Sequence, residues 1–131
     1  MPVQRILIID DDQELCSELS DVLEREGYSV DMAFDGRKGE ERIKNGHYDL
    51  VLLDIKMPYV RGPELLESIR NEKNRPKVMI LSASPAVNRF LGERTDLEGN
   101  DPEEVLKLAD DMMSKPYDVE TLLGKIKKII Y

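Results

Sequence analysis

The side chains from which a reaction could be built stand at the ends of apolar runs. Asp10, Asp11 and Asp12 close the first run, Asp54 closes a second, Ser82 a third, and Lys115 follows a fourth. Carboxylates gathered at one place repel one another unless a cation sits among them. Hard oxygen donors without thiolate or imidazole suit Mg²⁺ or Mn²⁺, with water filling the remaining octahedral positions. A lysine and a hydroxyl aimed at the same place supply the complement of an anion. Acids, metal, lysine and hydroxyl are together the parts of a phosphoryl-transfer site, where catalysis is positioning plus charge neutralisation. A carboxylate can itself be the nucleophile and form an acyl phosphate. Each fragment also has a plainer reading. An acidic triplet after a strand caps a helix, a Lys-Pro pair makes a turn, and a serine hydroxyl bonds its own backbone. Their joint occurrence at strand ends favours the site.

The elements that must position these residues follow from periodicity. Arg5 to Ile9 (RILII) is apolar without alternation, as a strand buried on both faces requires. Leu15, Leu19, Val22 and Leu23 then share one helical face, with Asp12 placed to cap the start and Gly27 to end it. Tyr28 to Ala33 reads as a second strand. Asp35 to Asn45 is a weaker helix, because Gly36 and Gly39 lower its propensity. Asp49 to Leu53 is a buried strand, and Asp54 to Gly62 is the loop after it. Pro63 opens a helix with Leu65, Leu66 and Ile69. Lys77 to Leu81 and Met112 to Ser114 read as the fourth and fifth strands. Asp118 caps a final helix with Val119, Leu122, Leu123, Ile126, Ile129 and Ile130 on one face. The stretch 83–100 is polar and broken by Ser84-Pro85, Gly92 and Gly99, so it reads as a loop. Asp101-Pro102-Glu103-Glu104 after it has the cap, proline and acids that start a short helix. Strands alternating with helices imply a parallel sheet wrapped on both faces, with its site beyond the carboxyl ends of the strands.

Composition narrows the function. The chain has 131 residues, the size of one domain, with 40% apolar and 35% charged residues. A net charge of −8 lacks the basic face that nucleic acid or anionic lipid would demand. No run approaches the ~20 apolar residues of a membrane span. The single cysteine, Cys16, excludes an internal disulfide and points to a reducing, cytoplasmic setting. Cys16 reads as a packed small hydrophobe, the lone His47 as a solvated loop residue, and Met112-Met113 as strand filling. There is no GxxxxGK phosphate loop and no GxSxG elbow.

The segments RILIIDDD, HYDLVLLDIKMP, MILSAS and ADDMMSKPYD, in this order and spacing, resemble the signatures of response-regulator receiver domains of two-component phosphorelays. The likeness runs from Val3 to Ala83 and from Ala109 to Ile130. It implies a single receiver domain over 1–131, a five-stranded doubly wound sheet of flavodoxin-like order 2-1-3-4-5, and a cytoplasmic signalling module. By this resemblance Asp54 is the phosphoacceptor, Asp11 and Asp54 ligate Mg²⁺ (or Mn²⁺), and Asp10 acts through a bound water. Lys56 offers its backbone carbonyl to the metal, Ser82 reaches a phosphoryl oxygen, and Lys115 pairs with the phosphoryl group. The implied donor is a sensor histidine kinase or a histidine phosphotransfer protein, and the output is a protein target. The chain would then be no enzyme beyond catalysing its own phosphorylation and dephosphorylation.

The sequence departs from that pattern at Met112, which is aromatic in many receivers, at Tyr59 and Arg61, and in the length between Ser82 and Lys115. These departures bear on output and leave the acids, serine and lysine intact. The competing reading is a haloacid-dehalogenase-like phosphatase using Asp10. It wants Thr or Val where Glu14 stands and an acidic pair after the lysine, whereas Asp110-Asp111 precede Lys115.

Overall fold

The structure is a computed structural model, and it describes residues 3–54, 68–69, 71, 75–83, 109–115 and 117–130, with Ser82, Ala83, Ser114 and Lys115 described by their backbone alone. Five strands, β1 (Arg5–Ile9), β2 (Ser29–Ala33), β3 (Leu50–Asp54), β4 (Lys77–Ala83) and β5 (Asp111–Lys115), form one sheet in the order β2-β1-β3-β4-β5. All four pairings are parallel. Three helices are described: α1 (Gln13–Arg25), α2 (Gly36–Asn45) and α3 (Val119–Ile130). The order 2-1-3-4-5 and the helices on both faces agree with expectation.

Period-two alternation along the strands divides the core into two layers. Ile6, Ile8, Leu50, Leu52, Met79 and Leu81 face Cys16, Leu19 and Leu23 of α1 and Leu122 and Ile126 of α3. Leu7, Ile9, Val51, Leu53, Val78 and Ile80 face the other way, toward Ile43 of α2 and Ile69. This double burial explains why RILII and LVLL show no polar alternation. Each such Leu or Ile, removed from water, stabilises the fold by roughly 1.5–3 kcal/mol.

The helix ends follow their sequence signals. Asp12 caps α1 by accepting from the Leu15 N–H at 3.0 Å, and Gly27 follows with φ 96°. Asp35 caps α2 through the Lys38 N–H at 2.7 Å. Asp118 does the same for α3 through Thr121.

Several bounds shift by a residue or two from the sequence reading. Tyr28 turns into the core ahead of β2, and Asp54 belongs to β3 because its pairing with Leu81 continues the ladder. Val119 is 39% exposed, so it lies off the apolar face of α3, which buries Leu122 and Ile126. The expected loop at 83–100, the helices begun by Pro63 and Pro102, and Tyr59, Arg61 and Lys56 lie outside the described residues, apart from the backbone of Ala83 and parts of the Pro63 helix.

Candidate functional site

Strand register builds the site. Ile9 pairs with Leu53, so the next residues along, Asp10 and Asp54, come side by side at the carboxyl ends of β1 and β3. The sheet order turns there, since β1 lies between β2 and β3. In a doubly wound sheet that switch point is where the crossovers part and leave a crevice for a ligand.

Asp10 is 1% exposed and Asp54 6%, while Asp11 is exposed. One carboxylate oxygen from each of the three lies within 4.8 Å of the others. At that separation, with an effective dielectric of about 20, two ionised carboxylates repel by roughly 3 kcal/mol. A positive charge placed among them would offset this. The three residues offer hard oxygens only, with neither imidazole nor thiolate, which fits Mg²⁺ or Mn²⁺ and its water ligands.

The acids are held from behind by the fold. Asp10 donates its N–H to the Ala33 carbonyl at 3.0 Å and accepts the Asp12 N–H on Oδ1, also at 3.0 Å. The Cys16 thiol donates to the Asp10 carbonyl at 3.5 Å, tying α1 to the end of β1. Cys16 is thus a buried core residue that also ties to Asp10, and His47 is exposed ahead of β3, both as read from sequence.

The same sheet edge receives the other two candidates. Ser82 pairs with Ser114, and Ala83 with Lys115, so both chain positions stand at the carboxyl ends of β4 and β5. Their side chains, and all of Lys56, lie outside the described residues. Met112 is half-buried against the cluster on the α2 face, as strand filling would be.

Tyr117 is the residue that sequence reasoning passed over. It lies between β5 and α3, packs against the α1/α3 layer and has a buried hydroxyl. Its place in KPYD, just after Lys115, was the available signal.

Comparison with known proteins follows this geometry. The model of the response regulator receiver domain matches residues 6–127. The response regulator ArlR of Staphylococcus saprophyticus is 33% identical over 126 residues, which is 96% of this chain and 52% of that protein. The chain therefore spans about half the length of the curated relatives it matches. A CheY-like receiver domain protein of Methanospirillum hungatei superposes with a TM-score of 0.81 at 30% identity, covering 98% of this chain and 94% of that one. The response regulator TrrA of Thermotoga maritima, crystallised with Mg²⁺ and BeF, gives a TM-score of 0.77 at 32% identity over 97% of this chain and 99% of its own. TrrA in complex with the histidine kinase ThkA gives 0.76 at 31%, over 98% and 100%. No helix among the described residues is long and apolar enough to cross a membrane. The match leaves no place for the haloacid-dehalogenase-like phosphatase, because LLDIKMP and the strand order belong to another family. From the edge of β1 to the last turns of α3, this chain belongs to the response regulator receiver domain family.

Proposed function

We propose that this chain is a phosphoacceptor module in which Asp54 takes a phosphoryl group while Mg²⁺ or Mn²⁺ is held by Asp11 and Asp54, with Asp10 acting through water. The observation that carries this reading is the triad of carboxylates within 4.8 Å at the topological switch point. Asp54 is the acceptor because it ends the central strand β3, buried on both sides. A carboxylate at the end of a buried strand is held in direction by that strand. The Asp54 oxygen bonds to phosphorus, the bond from phosphorus to the donor nitrogen breaks, and that nitrogen's imidazole leaves. A bound divalent ion would supply the charge that lets an anionic donor approach carboxylates.

Lys56 would add its backbone carbonyl to the ion. Lys115 would neutralise the phosphoryl oxygens, and Ser82 would move to meet one of them. Their placement at the ends of β4 and β5, on the same edge as the acids, supports these roles. The donor would be a sensor histidine kinase or a histidine phosphotransfer protein, as the TrrA complex illustrates for that relative. Catalysis of its own phosphorylation and dephosphorylation, a single receiver domain over 1–131, a cytoplasmic setting and output to a protein target without nucleic-acid contact by this domain complete the reading.

The test is intact-mass analysis after incubation with acetyl phosphate. The parent should gain one phosphoryl group only when Mg²⁺ or Mn²⁺ is present, and Asp54→Asn should gain none. Full labelling of Asp54→Asn would sink the assignment. Lys115→Ala should still bind Mg²⁺ but lose most of the spectral response to beryllofluoride, and a full response would remove Lys115 from the site.

A further inference from the structure

We draw no further inference here: the strongest candidate, the hollow of about 580 Å³ at the amino end of the sheet between Val3, Arg5, Lys77 and Ile130, has two of its cations, Arg5 and Lys77, already paired with Asp31 and Asp110, and nothing in the structure shows what covers it.

Discussion

Asp10, Asp11 and Asp12 are the same side chain three times over, and the backbone gives them three different tasks. Asp12 points along α1 and caps it through the Leu15 N–H. Asp10 turns inward, where it is 1% exposed and accepts the Asp12 N–H. Asp11 stays exposed, with an oxygen within 4.8 Å of Asp10 and Asp54. Asp11 is therefore the acid whose removal best isolates the ion, since it does least for the fold. Mg²⁺ at tenfold above its Kd should stabilise the parent by about 1.4 kcal/mol, a rise in Tm of roughly 5 °C for a domain of this size. Asp11→Ala should abolish that rise and, with one like charge fewer, should melt no lower than the parent without metal. Thermal melts with and without Mg²⁺ decide it, and an undiminished rise in the variant would take Asp11 out of the ligand set. The cap and the acids were legible in the sequence because spacing to an apolar stripe fixes which acid begins a helix. Tyr117 was not, because the burial of one hydroxyl depends on how a connection packs, and no periodicity records that.

At the scale of elements, legibility tracked burial. The three inner strands announced themselves as unbroken apolar runs, since both of their faces are covered. The edge strands were blurred at their starts. β5 begins at Asp111, an acid in a strand, which Lys125 of α3 pairs at 3.5 Å while also donating to the Met112 carbonyl at 3.3 Å. Such a tie between neighbours in space leaves no trace in local pattern. Helix α2 shows a conflict that the structure resolves. Gly39 weakens helix propensity, yet a Cβ there would sit 2.6 Å from Ile9 Cδ1 and about 3 Å from its other branches. Ile9 is fully buried and has little room to swing aside, so the glycine lets α2 approach β1. Propensity alone makes Gly39→Ala stabilising by about 1 kcal/mol. Packing reverses the sign, and we expect a net loss of about 1–3 kcal/mol from overpacking. Urea denaturation measures it, and a more stable variant would show that α2 can move off the sheet freely.

Across the whole molecule the parallel sheet separates two jobs to its two ends. The carboxyl edge gathers the three acids. The far edge and the outer face of β2 are stabilised by an ordinary polar network. Tyr48 donates to Asp31 at 2.7 Å, Arg5 pairs with the same oxygen at 3.2 Å, and the Arg5 guanidinium lies 4.9 Å from the centre of the Tyr48 ring. Burial, and then the hydrogen bond and charge of Asp31, raise the Tyr48 pKa above its ordinary value of 10.0. The folded state thus keeps this proton at a pH where the unfolded chain has released it. Its contribution to stability is complete below about pH 10 and is lost as pH rises through the folded value. Tyr117, raised to about 12, acts in the same direction. Stability should therefore fall on the alkaline side, and Tyr48→Phe should remove part of that slope while losing about 1.5 kcal/mol at neutral pH with the hydrogen bond to Asp31. Denaturation midpoints of parent and variant, compared across the range above about pH 9, test the claim. Parallel declines would mean that Tyr48 is not the group responsible. Because Tyr48 lies at the end of the sheet opposite the acids, its substitution should leave the Mg²⁺ Kd of the parent unchanged, which separates this stability lever from the site.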